Sequence, residues 1–203
     1  MPKDRLLTTR KVVGLARPSV EEEPVATFSF GNSPVTATID NVTSLTSGTG
    51  DDAITLGTGI TGATINLGGG SDILSTTAGA TMTATGVETI VGSSLTELVT
   101  LGSAMTSGSI DLAGGTDRLV LASVAANTLS VVNIESVTGG TGSDQVWLAN
   151  TLSNAVIDLG AGSDQLTLVT GGTATVLNVE TVTGGTGADR VVLGSAVTAG
   201  TVD

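Results

Sequence analysis

Along most of the chain, large aliphatic residues come in pairs two positions apart, with a polar or β-branched residue between them. Ile54 and Leu56 bracket Thr55, Val99 and Leu101 bracket Thr100, Val146 and Leu148 bracket Trp147, and Leu166 and Leu168 bracket Thr167. Leu119 and Leu121 bracket Val120, and Val191 and Leu193 bracket Val192; in the remaining copy Leu74 is followed by Ser75 and Thr76. Each pair lies two and four residues after an acid, and seven residues before that acid stands Leu45, Ile65, Ile90, Ile110, Val137, Ile157 or Val182. Alternation with a period of two predicts a short strand with one face turned inward. The abundance of Val, Ile and Thr favours the same conformation, and glycine recurs too often for a stable helix interior.

These patterns are copies of one repeat. VTGGTGSDQVWL (137–148) matches VTGGTGADRVVL (182–193), and LTSGTGDDAITL (45–56) and the eroded IVGSSLTELVTL (90–101) are related to them. A second type interleaves: INLGGGSDILST (65–76), IDLAGGTDRLVL (110–121) and IDLGAGSDQLTL (157–168). Aligned on the acid, the copies fall at Asp52, Asp72, Glu97, Asp117, Asp144, Asp164 and Asp189, with gaps of 20, 25, 20, 27, 20 and 25 residues. Each reads as strand, tight glycine turn, strand, and a looser return such as VTGGTATVL (169–177) or GSAVTAG (194–200). The expected fold class is all-β, a parallel β-solenoid of stacked 20–25-residue coils with equivalent side chains in ladders. Seven coils at the spacing of neighbouring strands would extend about 34 Å.

Composition agrees with a thin core: 39% of the 203 residues are hydrophobic, yet only Phe28, Phe30 and Trp147 are aromatic. The chain has no Cys and no His. That excludes a disulfide framework, thiolate or imidazole metal sites, a Cys nucleophile and any His-containing triad. Acidic residues outnumber basic ones 19 to 7, a net charge of −12, which repels nucleic acid and favours cations as partners. No apolar run reaches the roughly 18 residues that span a bilayer, so no membrane insertion is expected. Lys3, Arg5, Arg10, Lys11 and Arg17 precede Glu21, Glu22 and Glu23. Residues 1–27 therefore read as a flexible charged leader without the apolar stretch of a secretory signal, open to docking on an acidic partner. Residues 28–203 read as the repeat domain, its last coil incomplete at TVD; uncapped strand edges would allow self-association through the solenoid ends.

The turn carries the chemistry. Glycines permit backbone conformations closed to other residues and can gather carbonyl oxygens; the acid adds a carboxylate, and such hard donors suit Ca²⁺. Carboxylates stacked about 5 Å apart would repel by about 3 kcal/mol at an effective dielectric of 20, which a cation between them relieves. The opposing reading is a plain tight turn whose Asp caps backbone amides. GGTGSD (139–144) and GGTGAD (184–189), followed by QVW and RVV, match the nonapeptide GGxGxDxUx, where U is a large aliphatic. Over residues 45–193 the chain resembles the RTX (repeats-in-toxin) family of secreted, hemolysin-type calcium-binding repeat proteins. SGTGDD (47–52), LGGGSD (67–72) and LGAGSD (159–164) lose only the first Gly, LAGGTD (112–117) loses two, and GSSLTE (92–97) is badly eroded. The resemblance implies Ca²⁺ held by Asp52, Asp72, Asp117, Asp144, Asp164 and Asp189 with turn carbonyls such as those of Gly140, Gly142, Gly185 and Gly187. It also implies an extracellular or cell-surface location. The family's coil is shorter and carries the motif on both edges, whereas here a single edge is expected to be equipped, with Glu97 interrupting any ion column.

Glu88, Glu135 and Glu180 recur in VETIVG, IESVTG and VETVTG. A residue repeated in every unit marks a ladder position rather than a glycosidase pair, and Asp111 and Asp158, with Asn66, repeat likewise. Thr46, Thr138 and Thr183 before the turns, Thr49, Thr141 and Thr186 within them, and outward Thr55, Thr100 and Thr167 resemble the arrays of ice-binding proteins. The expected function is non-catalytic: a calcium-binding structural, adhesive or surface-layer module of a bacterial extracellular protein. The alternatives are a metal-independent, self-assembling solenoid and an ice-binding surface.

Overall fold

The structure, a computed structural model, describes residues 10–12, 26–151, 153–195 and 201–202. One sheet takes the odd-numbered strands β1 (Arg10–Val12), β3 (Thr36–Ile39), β5 (Ala53–Leu56), β7 (Ile73–Thr76), β9 (Thr89–Val91), β11 (Gly108–Asp111), β13 (Thr128–Val132), β15 (Gln145–Leu148), β17 (Gln165–Leu168), β19 (Thr181–Thr183) and β21 (Thr201–Val202). The other takes β2 (Ala26–Ser29), β4 (Val42–Thr46), β6 (Ile60–Asn66), β8 (Ala80–Thr85), β10 (Leu98–Leu101), β12 (Arg118–Val120), β14 (Ser136–Gly140), β16 (Ala155–Gly160), β18 (Thr173–Leu177) and β20 (Arg190–Leu193). Both sheets are all-parallel, and the chain crosses from one to the other and back in each coil, making the β-solenoid that the alternation predicts.

Its coils are shorter and more numerous than the acidic spacing suggests: about 9 turns, about 19 residues apart. Eleven strands in one sheet extend about 48 Å at the spacing of neighbouring strands. The miscount comes from the segments read as returns. Between Asp52 and Asp72 lie two strands, β5 and β6, which make one coil; between Asp72 and Glu97 lie three, β7, β8 and β9, a coil and a half. The additional strands β8, β13 and β18 read ATMTAT, TLSVV and TATVL, and each alternates buried and less buried positions. Their inward residues include Ala80, Ala84 and Ala174, whose small side chains mute the period-two signal.

Between the sheets runs one continuous aliphatic core. Leu45, Ile65, Ile90, Ile110, Val137, Ile157 and Val182 are each at most 2% exposed, so the position seven residues before each acid faces inward throughout. The pairs after the acids are buried as well up to Leu168, whereas Val191 is half-buried and Leu193 exposed. Thr76, the polar exception in this series, faces inward and donates its hydroxyl to Glu97 Oε1 at 3.4 Å. The outward threonines do not form one row, because Thr55 and Thr167 lie on β5 and β17 while Thr100 lies on β10 of the opposite sheet. Of the stretch read as a leader, Arg10–Val12 pair with β3 and Ala26 and Thr27 open β2; its other residues, and 196–200 of the GSAVTAG return, lie outside the described residues.

Close stacking of the corners needs glycine. Gly70 has φ +148°, and a Cβ there would fall 2.7 Å from the Gly50 carbonyl oxygen of the preceding coil. Gly70→Ala is therefore expected to lower stability by about 2 kcal/mol, read as a drop in apparent melting temperature.

Candidate functional site

Directly before odd-numbered strands stand Asp52, Asp72, Glu88, Asn127, Asp144, Asp164 and Glu180; directly before even-numbered ones stand Glu97, Asp117, Glu135 and Asp189. The acids therefore occupy both corners of the solenoid, not the single column that their alignment suggests. Asp52, Glu97, Asp144 and Asp189, the first acids of successive repeats, precede β5, β10, β15 and β20. Each repeat thus contains five strands, two and a half coils, and the next repeat must begin on the opposite corner.

Within a corner, each carboxylate of the ladder except Glu97 accepts a main-chain N–H from the equivalent residue one coil earlier. Val35 donates to Asp52 Oδ1 at 2.8 Å, Asp52 to Asp72 Oδ1 at 2.7 Å, and Asp72 to Glu88 Oε2 at 2.8 Å. On the opposite corner Glu97 donates to Asp117 Oδ1 and Asp117 to Glu135 Oε2, both at 2.7 Å. Back on the first, Asn127 donates to Asp144 Oδ1 at 2.8 Å, Asp144 to Asp164 Oδ1 at 2.7 Å, and Asp164 to Glu180 Oε2 at 2.7 Å. The three glutamates that sequence reasoning placed in a separate ladder thus complete runs of three: Asp52–Asp72–Glu88, Glu97–Asp117–Glu135 and Asp144–Asp164–Glu180. Their offsets of 16 and 18 residues from the preceding Asp mark a full coil, a signal hidden by the assumption of longer coils.

The first two members of each run are at most 1% exposed, and one oxygen of each has no partner. Asp52, Asp72, Asp117, Asp144 and Asp164 each leave Oδ2 buried and unpaired, and Glu97 leaves Oε2 so. Glu97 therefore does not break the series; its Oε1 accepts from the Ser93 N–H at 3.2 Å and from the Ser93 hydroxyl, within its own eroded turn. Asp189 differs from the other aspartates. It is exposed, and its two oxygens accept the N–H groups of Gly172 and Gly185 at 3.1 and 3.2 Å.

Asn127 carries an amide at a ladder position where Asp144 and Asp164 carry a carboxylate. It is fully buried at the ladder position one coil before Asp144, and its Oδ1 accepts the Met105 N–H at 3.2 Å. Its Nδ2 donates to Asp144 Oδ1 at 2.8 Å, Ala125 O at 3.0 Å and Ala122 O at 3.3 Å. Two turn carbonyls and the next carboxylate thus converge on one donor. The following turn stacks on this one, since Cβ atoms at Gly140 and Gly142 would meet the backbones of Ser123 and Ala125. By the 17-residue offset between Asn127 and Asp144, Gly139 and Gly142 then correspond to Ala122 and Ala125. Gly142 lies in the turn before Asp144, and the Gly140 carbonyl accepts the Ala161 N–H at 2.8 Å. Gly185 and Gly187 lie exposed in the turn before Asp189.

Burial and neighbouring charge act together on the middle acid of each run. Burial, reinforced by Glu97 and Glu135, pushes Asp117 up to about 6. Burial with Asp144 and Glu180 pushes Asp164 up to about 6. Asp72 is raised by burial and by Asp52, Glu88 and Asp51. In each case the N–H bond from the preceding coil opposes the shift.

Asp111, Asp158 and Asn66 close local turns instead, accepting the N–H two residues onward at 2.9, 3.2 and 3.1 Å. Among the described residues no three acidic side chains converge on one point, so a corner cation would have to draw part of its shell from turn carbonyls. No known family model, curated protein or solved structure matches the chain.

Proposed function

We propose that the chain is a non-catalytic scaffold, an RTX-like β-solenoid whose corners take up Ca²⁺ and thereby hold successive coils together. The observation that supports this most is the unpaired buried oxygen of Asp52, Asp72, Glu97, Asp117, Asp144 and Asp164, set against the three oxygens that Asn127 satisfies with one amide. Carboxylate and carbonyl oxygens without a donor are a fit for a hard cation, and leaving them bare is costly. At Asp144 the holders would be its own Oδ2 and the carbonyls of Gly139 and Gly142. An extracellular structural, adhesive or surface-layer role follows from the RTX resemblance.

Protein stripped with EDTA and titrated with Ca²⁺ tests this reading. Two sites filled at a hundred times their Kd would add about 5 kcal/mol, so the melting temperature is expected to rise by about 10 °C. Melting unchanged by Ca²⁺ would leave the metal-independent solenoid, whose support is the N–H ladder that already engages one oxygen of every ladder carboxylate but Glu97.

A further inference from the structure

The outer face of the odd-numbered sheet carries a groove of about 370 Å³ that runs from the corner acid Glu88 to Trp147, lined also by Thr89, Ser107, Ser109, Thr128 and Ser130. Sheet register sets Thr89, Ser109, Ser130 and Trp147 side by side on β9, β11, β13 and β15. Three small hydroxylated residues make a shelf, and the indole, 36% exposed, rises at one end as its wall. Glu88 stands at the other end, steadied because its Oε2 accepts the Asp72 N–H at 2.8 Å.

We propose that this groove is a binding site for a neutral saccharide of about two pyranose rings. An indole face offers an apolar surface for the C–H face of a sugar ring, with a polar handle at its edge. Serine and threonine hydroxyls both donate and accept, and a carboxylate accepts from several sugar hydroxyls. Four neighbouring strands cover about 14 Å, the length of a disaccharide. An anion would meet Glu88 and a net charge of −12. A small cation would meet Glu88 or Trp147 but not both, because three strand spacings separate them.

Trp147 is the chain's single tryptophan, so its emission reports on the groove. The full chain in Ca²⁺ is titrated with cellobiose, maltose and N,N′-diacetylchitobiose, with tetramethylammonium as the cationic comparison. At least one disaccharide is expected to shift the emission saturably. Ser130→Leu, which fills the shelf and keeps the reporter, is expected to weaken that binding at least tenfold; Ser109→Leu replaces it if the first variant loses its β spectrum. Calorimetry on Trp147→Ala is expected to show binding lost. No response to any of the three sugars, a response that survives filling of the shelf, or a response to tetramethylammonium alone would overturn the proposal.

Discussion

Replacing Asn127 with Asp is expected to lower the melting temperature of the metal-free protein by about 10 °C, and Ca²⁺ is expected to restore most of the loss. Asp retains the oxygen that accepts the Met105 N–H but removes the donor shared by Ala122 O, Ala125 O and Asp144 Oδ1. In its place comes a second oxygen, in a fully buried position beside an existing carboxylate. Stranded acceptors and an uncompensated buried charge cost roughly 3–5 kcal/mol, and each kcal/mol moves the midpoint of a chain this size by about 2–4 °C. The substitution also turns the corner into a copy of its neighbours, so a cation that fills theirs fills this one. Melting curves in EDTA and in Ca²⁺ check both halves. A variant as stable as the parent in EDTA would show that the amide does not hold the corner. A variant weakened in EDTA and not recovered by Ca²⁺ would refute the cation reading. The reciprocal change, Asp144→Asn, supplies a donor where an oxygen has none; it is expected to be neutral or stabilising in EDTA and to reduce the response to Ca²⁺.

The solenoid was legible because its inward rows are physical necessities. Leu45 through Val182 mark the seventh residue before each acid, and every one of them is buried. The phase of the coils was not legible from the same signal. Acids that look equivalent in sequence sit before strands of opposite sheets, since the repeat spans an odd number of strands; only a count of strands, including the alanine-rich β8 and β18, reveals it. The same oversight separated Glu88, Glu135 and Glu180 from the aspartates that they follow by one coil. Asn127 lies outside every GGxGxD-like turn, in ASVAAN (122–127). Its role depends on a carboxylate 17 residues later, a distance that acquires meaning once the coil length is known. Asp189 illustrates the converse: a perfect GGTGAD turn, yet its side chain lies exposed rather than sealed within the corner, and both oxygens are engaged by amides.

Without metal, acidification from pH 8 to about 5 is expected to stabilise the protein, the reverse of ordinary acid denaturation. Asp117 and Asp164 rise from the ordinary aspartate value of 3.8 to about 6 in the folded chain, and Asp72 shifts the same way. Between those values the native state holds protons that the unfolded state has released, so stability falls as pH rises. Each contribution is fully present below the unfolded value of 3.8 and is lost as pH climbs through about 6. A shift of about two units corresponds to roughly 3 kcal/mol per group at most, about half of it gained by pH 5; the two groups together raise the midpoint between pH 8 and 5 by about 5–10 °C. Asp117→Asn with Asp164→Asn is expected to flatten the profile, because an uncharged side chain has no proton to gain. Saturating Ca²⁺ at pH 8 is expected to flatten it too, for a different reason: a cation in the corner supplies the positive charge that a proton otherwise brings. Melting temperatures at pH 8, 6 and 5, with EDTA and with Ca²⁺, separate these cases. A midpoint that falls steadily from pH 8 to 5 in EDTA would mean that the middle carboxylates are ionised and already compensated, and the corners would then have no vacancy for either a proton or a metal.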